Sequence, residues 1–126
     1  MAIIGYGVKM PALELCCPPV LTGPLSAEDA EQLAAALRVV ADPARLRLLS
    51  MIKSAPGGAA CTCDLVDELG LSQPTVSHHI KVLYDAGFLA RDKRGRQTWY
   101  RIAPEGLGIL RDALDPDVAP AEPVAV

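Results

Sequence analysis

The sequence predicts a mainly α-helical domain with one small β-hairpin, in the order α-α-α-α-β-β-α. Three observations lead there. Apolar content reaches 51%, yet aromatics number only one Phe, three Tyr and one Trp. Leu, Ala and Val must therefore build the core, which suits packed helices better than a β-sandwich. Several segments repeat apolar residues at helical spacing and are bounded by capping residues, glycine or proline. Near Gly95 the pattern switches to alternating runs, as in a hairpin. A length of 126 residues fits about one domain.

Residues 1–25 are punctuated by "CCPP" and "TGP", which block a regular helix, so an extended arm is expected. The first helix should open on Ser26 as N-cap, with Asp29 three residues on, a capping-box-like start with the shorter acid. Leu33, Ala34, Leu37 and Val40 form its apolar stripe. Asp42 and Pro43 restart the chain as cap and first helical residue, with Leu46, Leu49, Met51 and Ile52 as core candidates. Pro56-Gly57-Gly58 ends that helix, and a short third one is expected over about Cys63–Leu69, stopped by Gly70. Ser72 caps the fourth, which turns Val76, Ile80 and Leu83 inward and stops at Gly87. "FLARDKRGRQTWYRI" reads as two strands around Arg94-Gly95-Arg96. A last helix starts at Pro104, and residues 115–126 have the composition of a disordered tail. Two helices joined by the tight "LGLS" turn and followed by a hairpin form a winged helix-turn-helix, here over residues 26–114.

Net charge is −3, but its distribution matters more than its sum. Leu71 to Arg101 carries six cations against two acids, a local balance of +4, whereas Ala103 to the end carries one against five, or −4. The basic stretch is where a polyanion would dock, and double-stranded DNA is the expected partner. Ser72, Gln73, Thr75, Ser77, His78 and Lys81 occupy the faces of the fourth helix left free by its apolar residues. Short polar side chains in the first turns of such a helix read base edges or hold phosphates. Arg94 and Arg96 at the hairpin tip would reach the backbone or minor groove as a wing. His78 and His79 point about 100° apart on a helix, so they do not share a ligand face and neither is read as a metal ligand. No triad order, carboxylate pair or phosphate-cradling loop suggests an enzyme. No apolar run approaches the roughly 18 residues that span a bilayer, and the N-terminus lacks signal-peptide regions. A cytoplasmic protein without a membrane partner is expected, where cysteines serve more often as ligands or reactive thiols than as disulfides.

"VVADPARLRLLSMI", "CTCDLVDELGLSQPTVSHHIKVLYDAGFL" and "RGRQTWYRI" together resemble the ArsR/SmtB family of metal-responsive repressors over about residues 26–114. The resemblance implies a homodimer paired through its first and last helices. Such a dimer sits on a palindromic operator until an inducing ion weakens its hold, which switches on a resistance or efflux gene. One family site uses Asp and His pairs on the last helix for zinc; "PEGLGILRDALDPD" has no histidine, so that site is absent. A second is a C-x-C-D-L motif opening the helix before the recognition helix, and Cys61-Thr62-Cys63-Asp64-Leu65 matches it.

Two residues apart within a helix, side chains point about 200° from each other, so both thiols converge only where the chain is not yet helical. A helix N-terminus also favours the thiolate. Cys16 and Cys17, held out of helix by Pro18 and Pro19, match the N-terminal thiols that some members add across the dimer. Three or four thiolates select soft ions. Arsenite or antimonite, taking three in a pyramid, is the expected inducer, with cadmium or lead as the alternative. Cys63 is the first ligand expected, and Cys61 is a fourth ligand or a bystander. Oxidation of the thiols would instead make a redox-sensing repressor. A soft-metal carrier without DNA binding is the reading from another class.

Overall fold

The computed structural model describes residues 24–117. Helices α1 (Ala27–Val40), α2 (Pro43–Ser54), α3 (Thr62–Leu69), α4 (Gln73–Asp85) and α5 (Pro104–Ala113) alternate with strands β1 (Ala59–Cys61), β2 (Leu89–Arg94) and β3 (Gln97–Ile102). The strands form one antiparallel sheet in the order β1-β3-β2. The predicted winged helix-turn-helix is present, with a third strand that the sequence did not signal. Three residues are too few to show alternation, and β1 exists because Pro56–Gly58 turns the chain back along β3.

The expected caps are in place. Ser26 accepts from the Asp29 amide at 3.0 Å, and Asp42 accepts from Ala44 and Arg45 at 3.1 and 3.2 Å. Ser72 accepts from the Thr75 amide at 3.3 Å. Each satisfies donors that a helix start leaves without intrahelical partners. Gly70 ends α3 in the left-handed conformation at φ 76°, which opens the tight turn into α4.

The core joins Leu33 and Ala36 of α1, Leu48, Leu49 and Ile52 of α2, and Leu65 and Leu69 of α3 to Val76, Ile80 and Leu83 of α4. Phe88, Leu89 and Leu110 join it, with Ala60, Ala86 and Ala113. Two of the expected inward residues need correction. Leu46 is 53% exposed, while Leu48 is fully buried. Leu46 is turned about 120° from Ile52 around the helix, and half-buried Arg45 takes the face between. On α1 it is Ala36, and not Ala34, that is buried beside Leu33. Val76, Ile80 and Leu83 face inward as expected, which fixes the opposite side of α4 toward solvent.

Candidate nucleic-acid interface and metal centre

Helix α4 presents Gln73, Thr75, Ser77, His78 and Lys81 exposed, opposite its buried stripe. Ser72 donates its hydroxyl to Thr75 Oγ1 at 2.9 Å, so these two hydroxyls also organise the helix start. Lys81 Nζ lies 2.7 Å from Asp85 Oδ2 in an exposed i,i+4 pair, a contact weak enough for a phosphate to displace. His78 is exposed, whereas His79 is half-buried with its Nδ1 3.1 Å from Nη1 of Arg45. The two histidines therefore separate as their helical spacing requires, one outward and one at the flank against α2.

The wing is closed by a two-residue turn, Gly95-Arg96, since Arg94 pairs with Gln97. Gly95 has φ 65° and Arg96 does not have a positive φ, which is the backbone of a hairpin turn with glycine first. Both arginines are exposed, but differently held. Arg94 Nε donates to Asp92 at 3.2 Å, and its guanidinium lies 4.7 Å from the Trp99 ring centroid. Arg96 occupies the turn itself. Arg91, a cation the sequence reading did not assign, stacks 4.3 Å from the Tyr84 ring, where helix and wing meet.

Cys61 and Cys63 come together at the start of α3. Cys61 is the last residue of β1, opposite Trp99 in β3, and serves as N-cap of α3 with extended φ −90° and ψ 164°. Cys63 is one residue inside the helix. The change from extended to helical backbone between them undoes the angular separation that a continuous helix would impose, and their Sγ atoms lie 2.6 Å apart. Cys61 is 3% exposed; Cys63 is open to solvent. One carboxylate oxygen of Asp64 joins the two sulfurs within a 4.8 Å cluster. The Cys63 thiol is pushed above its ordinary 9.0, first by the hydrogen bond shared with Cys61. Desolvation and the charges of Cys61 and Asp64 add to this, against the Asp64 backbone amide, which favours the thiolate. The expected thiolate preference at a helix start is thus outweighed by the neighbouring thiol.

The donor set is two sulfurs and one oxygen, a match for soft, thiophilic ions. The chain's two histidines both lie on α4, so no imidazole enters this cluster. Cys16 and Cys17 lie outside the described residues. A cleft of about 310 Å³ borders the pair, lined also by Thr62, Gln73, Ser77, Arg96 and Tyr100. The same elements that place the thiols therefore place them beside α4 and the wing tip. A larger cleft, about 700 Å³, is lined by Asp64, Asp67, Glu68, Arg94 and Trp99.

Comparison with known proteins agrees with this geometry. The family described as bacterial regulatory protein, arsR family, matches residues 42–91. An arsenical resistance operon repressor of Staphylococcus xylosus is 35% identical over 85 residues, covering 68% of this chain and 79% of that protein. The HTH-type transcriptional repressor SmtB of Mycobacterium tuberculosis is 31% identical over 109 residues, covering 86% and 78%. The crystal structure of a possible transcriptional regulator for arsenical resistance superposes with a TM-score of 0.55 at 34% identity, over 60% of this chain and 76% of that one. A homodimeric winged helix-turn-helix domain from Mycobacterium bovis shares the fold, with a TM-score of 0.55 at 22% identity over 68% and 80%. With this fold, these motifs and relatives above 30% identity along most of their length, the chain belongs to the arsR family of bacterial regulatory proteins.

Proposed function

We propose that the protein is a homodimeric, operator-binding repressor that leaves DNA when arsenite or antimonite binds its cysteines, derepressing a resistance operon. The observation that carries the reading is the convergence of Cys61 and Cys63 beside the exposed face of α4. The absence of imidazole from the cluster and the arsenical repressors among its relatives support a thiophilic inducer. The convergence of both sulfurs supports Cys61 as a ligand and not a bystander. Arsenite then needs one further thiolate from Cys16 or Cys17, while a four-thiolate cadmium or lead site would take both. Ser72, Gln73, Thr75, Ser77, His78 and Lys81 would read or hold the operator, and Arg94 and Arg96 would hold its backbone.

When bound, the ion would crosslink strand β1, helix α3 and the arm. The chain's own part is to give up the thiol protons of Cys61 and Cys63 and to hold both sulfurs toward one point. Those protons would leave as water with two hydroxyls of arsenous acid, or pass to solvent when the ion is a bare cation. For this to weaken DNA binding, the ion must favour the DNA-free state over the bound one.

A gel shift on an operator fragment, with arsenite, cadmium, lead and zinc in parallel, tests the reading. Arsenite should release the wild-type chain and zinc should not. Cys61→Ser and Cys63→Ser should both abolish release while leaving DNA affinity intact. Release by cadmium or lead but not arsenite, lost on either Cys16→Ser or Cys17→Ser, selects the four-thiolate alternative. Release by peroxide alone selects the redox reading, and no operator affinity at all would leave a metal carrier.

A further inference from the structure

The cleft beside the thiol pair has a composition that ion sensing does not explain. Its lining joins Gln73 and Ser77 of α4 to Arg96 and Thr98 of the wing, with Thr62 and Tyr100. The lining therefore offers one cation and several hydroxyl and amide donors, with no carboxylate. The larger cleft is acidic on balance, with Asp64, Asp67 and Glu68 against Arg94. A recognition helix in the major groove and a wing on the adjacent backbone straddle whatever strand passes between them. Hydroxyls, amides and an arginine are what a phosphate accepts from, and Asp64, the carboxylate beside the two sulfurs, is not part of the lining.

We infer that this cleft seats a DNA backbone phosphate, with Thr62, Thr98, Tyr100 and Arg96 as donors, so that bound duplex covers the exposed thiol of Cys63. The inference rests on the DNA-binding part of the proposed function and adds contacts to it. It also makes the antagonism between ion and DNA local. Both ligands occupy one cleft, so each lowers the other's affinity by the same factor, whatever else happens at the dimer interface.

The test is the rate at which N-ethylmaleimide alkylates Cys63 in the reduced wild-type chain, read by peptide mass with and without duplex. The duplex, of about 30 base pairs to hold two half-sites a turn apart, is selected by the wild-type protein from a random library. With nine-tenths of the protein bound, alkylation of Cys63 should slow by about tenfold, since only the free fraction reacts. Tyr100→Phe and Thr98→Val should each weaken duplex binding several-fold at fixed salt. Alkylation of the complex at the free rate overturns the inference, and unchanged affinity in both variants removes the hydroxyls from the seat. Failure to select any duplex overturns both this inference and the DNA-binding reading. Protection by duplex in a chain that no ion releases sustains the inference and defeats ion sensing alone.

Discussion

Two glycines in α5 predict opposite outcomes for the same substitution. Gly106 is buried in the first turn, where an added methyl would fall well inside the Gly87 carbonyl oxygen. It would also lie 3.0 Å from both the Gly87 carbonyl carbon and Phe88 Cδ1. Neither neighbour can step aside. Phe88 is fully buried, its amide bonds to Leu83 O at 3.0 Å, and its carbonyl accepts from Ala103 at 3.0 Å. Gly108 meets only Nη2 of Arg111, at 3.7 Å, an ordinary contact with a flexible side chain. Replacing glycine by alanine inside a helix gains up to about 1 kcal/mol. Overpacking a fixed site costs about 1–3 kcal/mol. Gly108→Ala should therefore stabilise by up to about 1 kcal/mol, and Gly106→Ala should destabilise by about 1–2 kcal/mol. At roughly 4–8 °C per kcal/mol for a domain of this size, a gap of about 1–3 kcal/mol should separate the two Tm values by about 4–24 °C. Thermal and urea unfolding at one protomer concentration would measure this, because dimerisation shifts both. If Gly106→Ala is stabilised like Gly108→Ala, α5 does not press on the Gly87-Phe88 turn as described.

Other expectations are simpler. Asp42→Ala removes the acceptor of two helix-start amides, so the urea midpoint should fall by the equivalent of about 1 kcal/mol with an unchanged m-value. Arg96→Gln should reduce the salt slope of DNA binding by about 0.9, the amount for one phosphate contact, and an unaltered slope would take Arg96 off the backbone. Cadmium uptake at the thiol pair should strengthen as pH rises, whereas arsenous acid, whose hydroxyls carry the thiol protons away as water, should show little pH dependence below 9.0. The Cys63 proton is held above 9.0, so below that pH incoming cadmium must displace it, and affinity should climb until the thiol ionises on its own. Competition titrations with cadmium across neutral and mildly alkaline pH would check this; cadmium affinity that is flat with pH would mean that Cys63 is already ionised.

Much of the fold was readable because capping and burial act locally. Ser26, Asp42 and Ser72 announce their helices by side-chain chemistry alone, and Val76, Ile80 and Leu83 fix the orientation of α4 by spacing. Leu46 looks inward in the sequence because hydrophobic character does not reveal phase when four of seven residues in "LRLLSMI" are Leu or Ile, and nothing local shows that Arg45 just before them is half-buried. Strand β1 is invisible locally, since Ala59–Cys61 acquires strand form only by pairing with residues some forty positions later. The site divides in the same way. The C-x-C spacing stated that the thiols could meet only at a break in the helix, and the strand supplies that break. The hydrogen bond shared between Cys61 and Cys63, the proximity of Asp64, and Tyr100 and Thr98 in the adjoining cleft depend on tertiary placement. Alternation along β3 offered the one available hint, by putting Thr98 and Tyr100 on a common face.

The pairing of Cys61 with Trp99 gives the molecule a built-in optical probe. Trp99 is the chain's single tryptophan, so its emission comes from one known place, directly across the sheet from a sulfur at the heart of the thiol cluster. It also lies under the guanidinium of Arg94, on the wing. Events at the cysteines and at the wing therefore converge on one indole. Its fluorescence can follow both in the unlabelled protein, in real time, without altering a residue of either surface.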